Sequence, residues 1–160
     1  MENVLKVLIV EDVATDAELI ERELKKAGFA LVTRIVETRE SYLEAITGFD
    51  PEMIFSDYNL PSFNGMQALL IRQEKLPNIP FILVTGANNE EIAIDCMRAG
   101  ADDYILKDNL TRLGQACKAA INKKAIVRAN LEAMEKLSVL SRAVEQNPAL
   151  IMITSLNGEI

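Results

Sequence analysis

The sequence predicts a doubly wound α/β fold: five parallel strands in one sheet, helices on both faces, and an extended helix at the C-terminal end. Three observations predict it. Short unbroken apolar runs, such as Lys6-Val7-Leu8-Ile9-Val10, suit strands covered on both faces rather than on one. Between these runs lie stretches whose apolar residues recur at helical spacing, such as Ala17, Ile20, Leu24 and Ala27. The two patterns alternate along the chain with short connections, which favours parallel pairing through helical crossovers.

The elements follow in order. The first strand, 6–10, ends in Glu11-Asp12. A helix is expected over 15–27, with Thr15 and Glu18 spaced as a capping box and Gly28 as its stop. Residues 31–36 read as the second strand and 39–47 as a helix ended by Gly48. The third strand, 53–56, runs into Asp57 and then breaks at the turn residues Asn59, Pro61, Asn64 and Gly65. A helix over 64–75 is expected to turn Met66, Leu69 and Leu70 inward. The fourth strand, 80–84, ends at Thr85-Gly86, and a helix over 89–99 stops at Gly100. The fifth strand, 103–106, ends at Lys107, and a long helix starts near Leu110.

In such a sheet, ligands sit outside the carboxyl ends of the strands. Those ends carry Glu11 and Asp12, then Asp57, then Thr85, then Lys107. One carboxylate at a strand end is an ordinary solubilising feature. Four strand ends that together supply three carboxylates, a hydroxyl and an ammonium make a candidate site. Carboxylates at ~4 Å repel by about 4 kcal/mol per pair at an effective dielectric of ~20, and one lysine offsets part of that. Proton uptake or a bound cation must offset the rest. Hard oxygen ligands without His or Cys select Mg²⁺, with Mn²⁺ as a stand-in. Beside such an ion Asp57 is placed to act as a carboxylate nucleophile toward a phosphoryl donor. Lys107, the Thr85 hydroxyl and backbone N–H groups after Asp57 and Thr85 are placed to stabilise the charge that develops.

Composition narrows the alternatives. Of 160 residues, 49% are apolar, enough for a real core. A net charge of −7 argues against binding to nucleic-acid phosphates. The absence of histidine excludes Ser-His and Cys-His catalysis, histidine metal sites and a phosphohistidine kinase core within this chain. The two cysteines, Cys96 and Cys117, are far apart, which is neither a disulfide framework nor a zinc site and fits a reducing compartment. No signal peptide opens the chain and no apolar run reaches the ~18 residues of a membrane span. A cytoplasmic location is expected, with no nucleic acid and no membrane engaged by this chain.

At these residues the sequence resembles the receiver domain of two-component response regulators. The resemblance covers about 4–125 and rests on IVED at 9–12, SDYNLPSFNG at 56–65, LVTGA at 83–87 and AGADDYILKDNL at 99–110. It implies a flavodoxin-like fold and a phosphoacceptor switch rather than an enzyme, although such domains take phosphate from small donors and hydrolyse it themselves. It implies that Glu11 and Asp12 hold Mg²⁺, with Asp12 a direct ligand, that Asp57 is the phosphoacceptor and a ligand, and that the Asn59 backbone carbonyl completes the set. Thr85 would bond the phosphoryl group and move with it, Lys107 would pair with it, and Tyr104 would rotate inward as Thr85 moves. A histidine kinase or histidine phosphotransfer protein would be the donor. One departure is Asp108, which follows Lys107 where many receivers have Pro, often after a cis bond.

The final helix runs on past the usual receiver end. From Leu110 to about Gln146 only Gly114 interrupts, and at ~1.5 Å per residue the helix would reach on the order of 50 Å. Val127, Leu131 and Met134 keep coiled-coil spacing, and Leu137, Leu140 and Val144 continue after a phase slip. A parallel homodimeric linker is expected, with a solvated helix as the plain alternative. Residues 140–160, LSRAVEQNPALIMITSLNGEI, resemble the opening helix and first strand of a PAS sensor domain. Asn157-Gly158 is a hairpin signal followed by only two residues, so the chain reads as cut just inside a second domain. The expected organisation is a receiver over 1–125, a helical linker over 126–146 and a truncated PAS-like start over 147–160. Two rival readings stand beside the switch: a phosphorylation-independent dimerisation scaffold, and an aspartyl-phosphate phosphatase, for which no second acid/base residue is evident beside Asp57.

Overall fold

The computed structural model describes residues 3–146. Five strands form one parallel sheet in the order β2-β1-β3-β4-β5. The strands are β1 (Leu5–Val10), β2 (Leu31–Val36), β3 (Met53–Ser56), β4 (Phe81–Thr85) and β5 (Asp103–Leu106). The helices are α1 (Ala14–Lys26), α2 (Arg39–Gly48), α3 (Gly65–Lys75), α4 (Glu90–Ala99) and α5 (Leu113–Gln146). Short 3-10 turns at Ala87–Asn89 and Leu110–Arg112 lead into α4 and α5. The doubly wound five-stranded fold and the long last helix are as expected from the sequence. The order of strands reverses between β1 and β3, which puts the ligand edge of the fold beside their C-terminal ends.

Side-chain alternation divides the apolar runs between two cores. Leu8, Val10, Ile54, Phe81 and Leu83 face α2, α3 and α4, where Tyr42, Ile46, Leu69 and Cys96 meet them. Val7, Ile9, Phe55, Ile82, Val84 and Ile105 face α1 and the start of α5, where Ile20, Leu24, Leu113 and Cys117 meet them. Burial on both faces is why these strands lack the polar alternation of a one-sided sheet. Both cysteines are free and buried, one in each core.

Several details differ from expectation. The capping box at Thr15 and Glu18 is absent: α1 begins at Ala14, and its N-cap, Val13, makes no side-chain bond. The connection from β1 is so short that Glu11 itself takes the Val13 N–H, at 3.1 Å. Capping boxes stand instead at Thr38 with Ser41, and at Asn64 with Gln67. Asn64 thus caps α3 rather than opening it. Leu70, expected inward, is 53% exposed, because the buried stripe of α3 is Gly65, Ala68, Leu69 and Arg72. The positive φ after α2 belongs to Asp50, at 55°, and not to Gly48.

Gly114, which read as an interruption, lies inside α5, where a Cβ would collide with Ala27. Its small size lets α5 approach the end of α1. There is no cis peptide bond among the described residues, so Lys107–Asp108 is trans. The chain divides into a compact unit ending at Lys124 and another beginning at Ala125, and α5 contributes residues to both. In the second unit, Val127, Leu131 and Met134 are exposed, as are Leu137 and Leu140. Residues 147–160, where the PAS-like start was expected, lie outside the described residues.

Candidate functional site

Four strand ends build the site. β1 delivers Glu11 and Asp12, β3 delivers Asp57, β4 ends in Thr85 and β5 leads to Lys107. Register fixes their spacing, with Val10 opposite Ser56 and Thr85 opposite Leu106. Backbone bonds continue the ladder into the site: Asp57 N–H donates to Val10 O at 2.9 Å, and Lys107 N–H to Thr85 O at 2.9 Å. Carboxylate oxygens of Glu11, Asp12 and Asp57 all lie within 4.8 Å of one another. Glu11 and Asp57 are buried and Asp12 is exposed.

Lys107 meets this cluster with its ammonium. Its Nζ lies 3.0 Å from Asp57 Oδ2, 2.9 Å from Glu11 Oε2 and 2.9 Å from Asp16 Oδ2. Burial alone would lower the Lys107 pKa, but Glu11, Asp16 and Asp57 together hold it above its ordinary value. Three carboxylates thus face one ammonium, with Asp12 beside two of them. Asp57 Oδ1 is held by the Tyr58 N–H at 2.7 Å. Glu11 Oε1 is held by the Val13 N–H, whereas its buried Oε2 is ion-paired with Lys107 at 2.9 Å but accepts no hydrogen bond. Burial pushes the Glu11 carboxyl up to about 7, and the Asp57 charge adds to the rise against Lys107 and the Val13 N–H. A Glu11 carboxyl raised this far gains or loses its proton near neutral pH even with the Lys107 ammonium beside it.

The donor set suits a hard divalent ion: oxygen ligands only, one of them a buried oxygen without a hydrogen bond. Asn59 lies in the turn after Asp57, bridged antiparallel to Asn64. Gly65 closes that turn, donating its N–H to Tyr58 O at 2.8 Å. A Cβ on Gly65 would lie 2.9 Å from Asp57 O and 2.8 Å from Leu83 Cδ1, so only glycine fits.

Thr85 is fully buried, and its Oγ1 accepts a bond from Asn89 Nδ2 at 3.0 Å. That leaves the hydroxyl proton free to donate. Tyr104 pairs with Leu83 in the sheet and packs, half-buried, against the α2–α4 core, on the strand face that Thr85 shares by alternation. The sequence reading missed Asp16 and Asn89. The one sequence signal for Asp16 is an acidic residue in the first turn of the helix after Glu11-Asp12. Asn89 read as the start of a helix.

Comparison with known proteins follows the same lines. The family described as Response regulator receiver domain matches residues 7–118. Regulatory protein LuxO of Vibrio cholerae serotype O1 is 30% identical over 125 residues, covering 78% of this chain and 27% of LuxO. Chemotaxis protein CheY1 of Helicobacter pylori is 26% identical over 107 residues, covering 64% of this chain and 85% of CheY1. The crystal structure of a response regulator receiver domain protein from Clostridium thermocellum superposes with a TM-score of 0.66 at 25% identity, over 77% of this chain and 98% of that one. The chain thus spans only about a quarter of the length of LuxO, with 27% covered.

Proposed function

This chain belongs to the response regulator receiver domain family, and from that premise we propose that it is a phosphoacceptor switch in which Asp57 takes a phosphoryl group from a partner histidine kinase or histidine phosphotransfer protein. The observation that carries the reading is the meeting of Glu11, Asp12 and Asp57 with the Lys107 ammonium at one sheet edge. An Asp57 carboxylate oxygen attacks phosphorus, the phosphorus–nitrogen bond to the donor imidazole breaks with its electron pair leaving on the imidazole, and an acyl phosphate forms. The Tyr58 N–H orients Asp57 for this attack. Lys107, bonded to Asp57 beforehand, is at hand for a phosphoryl oxygen, and the free proton of the Thr85 hydroxyl is available to another. Glu11, Asp12 and Asp57, with the Asn59 carbonyl, would hold Mg²⁺ or, in substitution, Mn²⁺. When bound, such an ion supplies positive charge against the phosphoryl oxygens.

Phosphorylation biases a two-state equilibrium in which Thr85 and Tyr104 move together. The change passes into α5, whose exposed Val127, Leu131 and Met134 pair with those of a second copy. We read 1–125 as the receiver, 126–146 as a linker and 147–160 as a PAS-like start. No helix among the described residues is long and apolar enough to cross a membrane.

The test is intact mass after incubation with acetyl phosphate and Mg²⁺, beside Asp57→Asn. A Mg²⁺-dependent gain of one phosphoryl group, about 80 Da, that vanishes in the variant is expected. If the wild type neither gains it nor binds beryllofluoride, the switch reading fails. In that case a dimer seen in sedimentation would favour the scaffold.

A further inference from the structure

Lys107 has three carboxylate neighbours, and they do not share one fate. Glu11 and Asp57 belong to the oxygen cluster that suits a cation. Asp16 stands outside it, on α1, with Oδ2 accepting from Lys107 Nζ at 2.9 Å. We propose that Asp16 is a positioning residue for the acceptor site, holding the Lys107 ammonium in place while Asp57 passes from carboxylate to acyl phosphate. This rests on the phosphoacceptor reading given above.

The argument is one of exchange. Lysine carries its charge on a flexible four-carbon stem, so its ammonium goes where its anions hold it. In this structure Lys107 makes two hydrogen bonds at the site, to Asp57 at 3.0 Å and to Asp16 at 2.9 Å. Formation of the acyl phosphate removes the Asp57 carboxylate charge that accepts the first bond, and Lys107 must turn to a phosphoryl oxygen instead. Any cation drawn to the cluster competes for Glu11. Asp16 alone keeps both its charge and its place through the cycle.

The pair is built to persist. Asp16 sits in the first turn of α1, where its own N–H donates to Val13 O at 3.1 Å. Leu19, Ile20, Val84 and Leu110 line the space beside Asp16 and Lys107. Apolar walls on that side reduce solvent screening of the pair. The Lys107 and Asp16 side chains are 24% and 30% exposed, so neither is free to hydrate fully. The bond also spans 91 residues of sequence, tying the start of α1 to the turn after β5.

The experiment is a double-mutant cycle on the full chain. Asp16→Ala, Lys107→Ala and the double variant are compared for the rate of acetyl phosphate uptake by intact mass and for beryllofluoride affinity by fluorine NMR. Asp16→Ala should slow uptake and weaken beryllofluoride binding about tenfold, and should add nothing once Lys107 is alanine. Asp16→Glu should recover part of the loss. Circular dichroism checks folding, and if Asp16→Ala is unfolded the cycle is read on the isosteric Asp16→Asn. Unchanged uptake in the Asp16 variant, or an equal loss with Lys107 already removed, overturns the positioning role while the switch reading stands. No uptake or beryllofluoride binding by the wild type overturns both.

Discussion

Strands β4 and β5 end in two charged clusters of opposite sign, one at each edge of the sheet. At the carboxyl ends, Glu11, Asp12, Asp16 and Asp57 outnumber Lys107. At the amino ends, the cations outnumber the acid: Asp102 lies 3.9 Å from Arg72 Nη2 and 3.6 Å from Lys124 Nζ. The difference lies in how the excess is met. Arg72, fully buried, donates to Pro77 O at 3.2 Å and Gly100 O at 2.8 Å and lies over the Phe81 ring, while Lys124 also donates to Pro77 O, at 3.2 Å. Asp102 Oδ2 accepts the Phe81 N–H at 2.8 Å. Excess positive charge is thus met largely by backbone carbonyl oxygens, although the buried Arg72 Nε has no hydrogen-bond partner. Excess negative charge is met by one N–H each on Glu11 and Asp57, from Val13 and Tyr58, and by the single Lys107 ammonium. One end is met mostly by the protein's own carbonyls, and the other is left short of cations.

Substitutions can break this contrast. The largest effect is expected from Arg72→Ala, which leaves Asp102 buried beside Lys124 alone and should cost about 3–5 kcal/mol in urea unfolding. The Mg²⁺-dependent gain in stability should be unchanged; a cost below about 1 kcal/mol would show that this end is not structural. Glu11→Gln comes next and acts in the opposite direction. Between 4.5, where the unfolded Glu11 ionises, and about 7, where the folded one does, the folded state holds the extra proton. In metal-free protein, stability therefore falls as pH rises through that window, by about 3 kcal/mol at most. Glu11→Gln should flatten this slope, raise metal-free stability at pH 8 and reduce the stabilisation by millimolar Mg²⁺. An unchanged slope would mean that Glu11 is not the group under strain.

The smallest of the three is Gly65→Ala. Its Cβ meets Asp57 O and Leu83, an overpacking expected to cost about 1–3 kcal/mol. Because the atom displaced belongs to the Asp57 backbone, Mg²⁺ affinity, followed by thermal shift, should weaken as well. That double effect would sharpen the contrast, since Arg72→Ala should lower stability alone.

Much of the fold was legible in the residues. Leu31–Val36, Met53–Ser56 and Asp103–Leu106 form strands with the bounds expected, because short apolar runs between turn residues have few other uses. Gly100 stops α4 with a φ of 114°, as a glycine after a helix predicts. Helix beginnings were less legible. Thr15 looked like a cap because its spacing to Glu18 was right, yet α1 starts one residue earlier, at Ala14, and Glu11 takes the N–H of its N-cap, Val13. Leu70 looked like core because it is apolar, yet Arg72 holds the inward position, balanced by carbonyls that sequence cannot display.

By itself the sequence determined that Glu11, Asp12, Asp57, Thr85 and Lys107 stand at strand ends, since alternation of elements places all such ends along one edge. It determined also that the last helix continues past the receiver, since nothing after Gly114 breaks it before Gln146. Only the tertiary structure decided which side chains meet there. Asp16 joins Lys107 across 91 residues, and Asn89 reaches back to Thr85, through contacts set by the packing of α1 and the turn before α4. The physical reason is range: hydrophobic period and turn chemistry act over a few residues and are written locally, whereas an ion pair depends on an approach of about 3 Å that the whole packed sheet must create.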